Sequence, residues 1–257
     1  MKLDRRLVLG WILPILMIAA LVGLWQIAAS TGAVAEALNL EPFLVPSPAE
    51  VGDALWSNRS VLLENTWVTL REILIGLAAG VLVGVALAVA MRFSRLLRDA
   101  TFPLMVALQA VPVVVIAPIL VVWFGFGIWV KVIVVALACF FPITVNTLDG
   151  LRSVDPEAVK MMRTLDASRR AIFRRVEAPT ALPSFFSGAK VAVAIAPIVA
   201  LFAELAGSNA GLMRLIIQDN ANLEIADMFA ATVILAVIGV LLVGLTALAQ
   251  RLVVNWR

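Results

Sequence analysis

The stretch VDPEAVKMMRTLDASRRAIFRRVEAPTALP, residues 154–183, decides how the chain is to be read. It lies inside a polar, arginine-rich interval from Asp149 to Lys190 that interrupts an otherwise apolar sequence. A polar interval of that length between two membrane-competent runs belongs in water. Asp155-Pro156-Glu157 reads as a helix start: an Asp cap, a Pro where its missing N–H costs nothing, and an acid at the positive dipole end. Ala158, Met161, Met162 and Leu165 follow at i, i+3, i+4 and i+7, one face of a short helix. Ser168 can cap a second helix, in which Ile172, Phe173 and Val176 form an apolar edge and Arg169, Arg170, Arg174 and Arg175 carry the charge. Pro179 is expected to end it. Two short helices at an angle, with apolar knobs among arginines, suit insertion into a groove on a partner protein. The competing reading lays them in the lipid headgroups, arginines on anionic lipid.

Working outward, the chain has 257 residues, 63% hydrophobic and 14% charged, and a mean hydropathy of +1.04. A soluble domain carries roughly 45–50% apolar residues, so this is an integral membrane protein. The apolar runs approach the roughly 20 residues that cross a bilayer as helix and do not alternate as barrel strands of about 10 would. Six helices are expected, at 7–29, 67–91, 101–124, 129–148, 186–206 and 227–249. The first follows Lys2, Arg5 and Arg6, and Ala33-Val34-Ala35 imitates a cleavage site, but its length exceeds a signal core and predicts an uncleaved anchor. With the N-terminus in the cytoplasm, 16 of the 20 basic residues fall on that side and only Arg59, Arg71, Lys131 and Arg214 on the other. The positive-inside rule then places both termini and the 149–187 loop in the cytoplasm.

Cys139 is the single cysteine and histidine is absent, so neither a disulfide framework nor the usual metal chemistry is available. No phosphate-binding G-x-x-x-x-G-K-[ST] loop occurs, so the chain does not cradle ATP in that manner. Polar residues at membrane depth should face protein or water. Glu204 is the strongest such candidate, either gating a pathway or accepting bonds from the loop around Gly207, Ser208 and Asn209. Gln109, Thr144 and Asn146 are candidates to line a path, or interhelical hydrogen bonds. Pro103, Pro112, Pro118, Pro142 and Pro197 interrupt helical bonding, as cavities or neighbouring helices permit. Gly76, Gly80 and Gly84 recur every four residues as a packing face, internal or between copies. Outside the spans, a short helix is expected over Ala49–Ser57, and the Ser208–Asp227 loop looks amphipathic.

The same residues resemble the membrane permeases of ABC importers, whose cytoplasmic loop carries EAA, three residues, G, nine residues and then I-x-L-P. The best match is RTLDASRRAIFRRVEAPTALP, Arg163–Pro183, with Asp166 at the glycine position and Lys160, Met161 and Met162 in place of EAA. Asp tolerates the left-handed conformation that glycine supplies there. FLVPSPAEV, APILVVWFGFG, FFPITVNTLDGLRSVD and the Ala203-Glu204 pair are similar to the subfamily that imports nitrate, sulfonates, taurine, bicarbonate, or thiamine and flavin precursors, with the wording of FFPITVNTLDGLRSVDPE nearest the last two.

The resemblance implies an all-α polytopic permease of six transmembrane helices with the type I importer fold. It also implies one domain over 1–257, its core at 61–250, the 7–29 helix an addition and 149–187 the coupling loop. Implied partners are a second permease copy, two cytoplasmic ATPase subunits, which would hold the ATP and Mg, and an extracytoplasmic binding protein, in contact with membrane lipid and no nucleic acid. Arg163, Leu165, Asp166, Ala167, Ser168, Arg169, Arg170, Ile172, Phe173 and Arg174 would then couple ATP hydrolysis to helices three to five. No cofactor and no catalytic role are expected of the chain itself. Two rivals, a passive channel and a membrane enzyme, would need a selectivity ring or a catalytic constellation. Glu204 is too isolated to supply one.

Overall fold

The computed structural model describes residues 5–255; Lys2 and Arg257, both used in sorting the charges above, lie outside them. The described residues are helical: α1 (Arg5–Ser30), α2 (Ala33–Leu38), α3 (Pro48–Ser57), α4 (Arg59–Phe93), α5 (Arg95–Gln109), α6 (Val113–Phe124), α7 (Ile128–Arg152), α8 (Pro156–Thr164), α9 (Arg169–Ile172), α10 (Ala178–Leu205), α11 (Leu212–Asn222) and α12 (Ile225–Val253). Among them α4, α7, the continuous Arg169–Leu205 helix and α12 are long and apolar enough to cross a membrane, with shorter apolar stretches at Leu16–Ser30 and Val115–Phe124.

Two expectations are corrected. The third span, expected as one helix over 101–124 with prolines interrupting its bonding, is two separate helices parted at Ala110–Pro112. Pro112 has no N–H to give to the preceding turn and its ring obstructs the carbonyl four residues back. A run of valines hides that break from any reading of hydropathy. Pro179, expected to stop the arm, sits inside a helix that runs on for 37 residues. A π-turn at Phe173–Glu177 links α9 to α10, and the Ala178 N–H reaches back five residues to the Phe173 carbonyl. The wider turn relieves the proline ring's usual clash with the preceding turn.

The chain forms two compact units. Among the described residues, the first comprises 5–64 and 215–233. Its α3 starts on a capping box: Ser47 Oγ accepts from the Glu50 N–H at 3.3 Å, and Glu50 Oε2 accepts from the Ser47 N–H at 2.6 Å. Trp25 Nε1 donates to the Pro46 carbonyl at 3.0 Å and packs against Phe229 at 6.0 Å between ring centroids. Asn58 Nδ2 donates to Asp227 Oδ1 at 2.7 Å. The helix expected over Ala49–Ser57 is therefore present, one residue longer at its start.

The second unit, 65–214 and 234–255 among the described residues, is built on α4, α7 and α10. The glycine face of α4 lies directly against α7, an internal seam. A methyl group at Gly76 would meet Val135, at Gly80 Cys139, and at Gly84 Ile143, all within 3 Å. Each partner is 59 positions further along, so the two helices run parallel in fixed register. α10 returns antiparallel to α7, with Gly150 against Ala181 and Ser184, Gly188 against Pro142 and Asn146, and Cys139 Sγ near the Ala192 carbonyl. Ala88, Met91, Met105, Phe140 and Leu148 close the core where α5 joins.

Candidate functional site

The arm is assembled from local signals. Asp155 Oδ1 accepts from the Glu157 N–H at 2.8 Å, and Ser168 Oγ accepts from the Ala171 N–H at 3.2 Å. Between the two helices the chain turns at Asp166, φ +52°. The Ala167 N–H bonds to the Met162 carbonyl and the Asp166 N–H to the Arg163 carbonyl, both at 3.0 Å. This is a Schellman turn with an aspartate where glycine is usual. Met161 and Leu165, 61% and 70% exposed, stand out from α8 and its cap. Arg163, Arg169, Arg170 and Arg174 are exposed as well, and Ala167 is half-buried. A recess of about 550 Å³ is lined by Ser168, Arg170, Ala171, Arg174 and Arg175. Ile172 is buried and Phe173 half-buried, so these two anchor the arm to the bundle and leave Met161 and Leu165 as the free apolar knobs.

That anchoring is specific. Phe173 meets Phe93, at the end of α4, with 5.2 Å between centroids, and the Arg169 guanidinium lies 5.1 Å over the Phe93 ring. Arg92 pairs with Glu177, the last residue of the π-turn, which is buried.

At the far end of the α4–α7 seam lies a buried charged cluster. Lys131 Nζ is 3.6 Å from Glu72 Oε1, their side chains 7% and 2% exposed. Glu204 sits beside them. Its Oε1 accepts from Thr69 Oγ1 at 2.6 Å and its Oε2 from the Met213 N–H at 2.8 Å, while the Leu212 N–H donates to Thr69 Oγ1 at 2.9 Å. Gly211, φ +118°, lets the loop pass against that carboxylate where a Cβ would collide with it. Glu204 thus receives a backbone N–H beyond the loop it was expected to hold. A cleft of about 290 Å³ opens beside the cluster, bounded by Arg71, Glu72, Phe126, Lys131 and Ser208 among others.

The remaining polar candidates are dispersed. Thr144 is buried and its hydroxyl donates to the Phe140 carbonyl at 2.7 Å; Asn146 Nδ2 donates to the Pro142 carbonyl at 2.8 Å. Gln109 is exposed at the end of α5, beside the Pro112 break. No grouping of metal-ligating side chains occurs among the described residues.

Sequence reading missed Glu72, Lys131, Arg92 and Glu177. A signal existed for the first. Glu72 continues the four-residue glycine repeat one step before Gly76, which marks its helix face but not its partner, and Lys131 joins that face only through the register seen in the structure.

Residues 80–256 match the family described as "Binding-protein-dependent transport system inner membrane component". The chain belongs to this family. Among similar proteins, the formylaminopyrimidine transport permease protein ThiX of Halalkalibacterium halodurans is 35% identical over 245 residues, covering 95% of each chain. The riboflavin transport system permease protein RibX of Chloroflexus aurantiacus is 35% identical over 217 residues, 84% of this chain and 81% of that one. The taurine transport system permease protein TauC of Escherichia coli is 28% identical over 221 residues, 83% and 80% respectively. In fold, the chain is similar to the inward-facing MetNI methionine ABC transporter, with a TM-score of 0.65 at 15% identity over 77% of this chain and 98% of that one. The chain is an ABC importer permease for a small solute, a multi-pass membrane protein of the type I importer class.

Proposed function

We propose that this permease carries a pyrimidine precursor of thiamine or a riboflavin-type solute handed over by an extracytoplasmic binding protein. The identity to ThiX and RibX, higher than to TauC, supports that choice over taurine, sulfonate, nitrate or bicarbonate. Two copies of the chain assemble with two ATPase subunits, which hold ATP and Mg and perform the hydrolysis. Both termini and the arm face the cytoplasm of a cell whose inner membrane holds the complex. The chain works as one permease domain.

One observation carries the coupling assignment. The arm leaves Met161 and Leu165 exposed, together with Arg163, Arg169, Arg170 and Arg174, on the two helices either side of a turn fixed by Asp166. Exposed apolar side chains rimmed by charge suit a protein groove. Gln109, beside the α5–α6 break, is the path residue we favour; Thr144, Asn146 and Glu204, whose side chains are already bonded within the bundle, shape the path from behind.

Cysteines at Ser168 or Arg170 should cross-link to the co-expressed ATPase. Transport that is indifferent to ATP after deletion of Arg163–Val176 would overturn the assignment. For the solute, thermal shift of the cognate binding protein against pyrimidines, flavins, sulfonates and nitrate should respond to one of the first two classes.

A further inference from the structure

We infer that the Arg92–Glu177 ion pair is the strut through which displacement of the arm reaches α4, with the Phe173–Glu177 π-turn as its hinge. This deepens the coupling assignment and rests on it. Glu177 is 6% exposed, so its charge is compensated chiefly by one guanidinium. The contact is made by Nη2 alone, while Arg92 Nε is buried and without an acceptor. A guanidinium favours two parallel bonds to a carboxylate. The pair is therefore incomplete as it stands, and a small turn of the π-segment completes it. That supplies two discrete arrangements, one single-point and one forked, which is what a transmitting element requires.

The surroundings favour motion at this place. α9 and α10 form one 37-residue helix, so force on Arg169–Arg174 acts on a lever whose first irregular turn, next to the arm, is the π-turn. π-turns within α-helices recur at functional positions. A cleft of about 230 Å³, lined by Val85, Val89, Thr147, Phe173 and Phe185 among others, lies against the hinge. Thr147 Oγ1 is buried there with no partner. The hinge thus has room beside it, enough for Phe173 to shift against Phe93. Beyond Phe93, α4 has no such slack. Gly76, Gly80 and Gly84 hold it in contact with α7, so the two helices move as one body and carry the displacement to the Glu72–Lys131 end.

The test uses the assembled permease–ATPase complex in nanodiscs, with a cysteine reporter, Val68→Cys, at a residue lining the 290 Å³ cleft beside Glu72 and Lys131, and a water-soluble maleimide as probe. Mg-ATP should change the labelling rate about fivefold or more in the parent, the scale of a typical coupling free energy. Arg92→Lys keeps the charge but removes the fork, and Glu177→Gln removes the charge. Both should abolish the ATP-dependent change while the ATPase still co-purifies and hydrolyses ATP. The exchanged pair, Arg92→Glu with Glu177→Arg, should restore it. A full labelling response in Arg92→Lys, loss of the ATPase from that variant, or an exchanged pair that restores nothing would each overturn the strut. A parent complex that holds no ATPase, or whose labelling ignores ATP, would instead overturn the coupling assignment.

Discussion

Lys131 meets Glu72 at 3.6 Å in the same register that sets Val135 on Gly76 and Cys139 on Gly80. The charge pair is thus the polar end of a glycine seam, and its two residues are fixed by the helices that carry them. Removing one partner of a buried pair leaves an uncompensated charge, at a cost of about 3–5 kcal/mol. Lys131→Met alone should therefore lower the unfolding midpoint strongly in detergent, and adding Glu72→Gln should recover most of the loss. Equal damage from the single and double variants would contradict the pairing.

The seam itself makes a steric claim. A side chain at Gly80 would meet Cys139 Cβ at 2.9 Å and the Ala136 carbonyl at 3.2 Å, and one at Gly188 would meet the Pro142 carbonyl at 2.5 Å. Gly80→Val and Gly188→Val should each destabilise by at least the ~1–3 kcal/mol typical of overpacking. Gly244, where an added Cβ would meet nothing within 4 Å beyond its own stretch of helix, is the control, and Gly244→Ala should leave the thermal midpoint in place.

Asp166 sits at φ +52° in the turn between α8 and α9. Asp166→Gly should be tolerated or mildly stabilising, whereas the β-branched Asp166→Val should cost about 1–2 kcal/mol locally. Limited proteolysis within 160–170 measures it. The valine variant should be cut faster and hold the ATPase less well.

Asp219, in α11 outside the spans, is raised from 3.8 to about 6, first by burial and then by Asp227 and Glu224. Folding therefore favours its protonated form. Its contribution to stability is fully present below pH 3.8 and is lost as pH rises through about 6. Asp219→Asn should flatten that fall and stabilise the protein at neutral pH, which thermal unfolding between pH 4 and 7 will show. A variant whose stability still drops across that window would locate the effect elsewhere.

Much of the arm was legible because its signals are local. The Asp155 and Ser168 caps span two or three residues, and the left-handed turn is announced by Asp166 standing at a glycine position. The small-residue face of α4 could be read too, though its partner could not. Contacts across 59 residues leave no trace in periodicity, and for that reason Glu72 and Lys131 passed as ordinary charges near the ends of spans. Pro112 and Pro179 show the opposite difficulty. Both are prolines in apolar or mixed surroundings, yet one divides a helix and the other is absorbed by a π-turn, a choice made by the neighbouring turn.

The division at Ala110–Pro112 bears on how the chain enters a bilayer. α5 and α6 have 15 and 12 residues, each short of the roughly 20 that the insertion machinery reads as a crossing segment. Neither half can partition into lipid by itself with its broken backbone exposed. The pair therefore crosses the membrane only where neighbouring helices cover the gap, so the lipid-facing wall of the permease at this depth is lent by other segments.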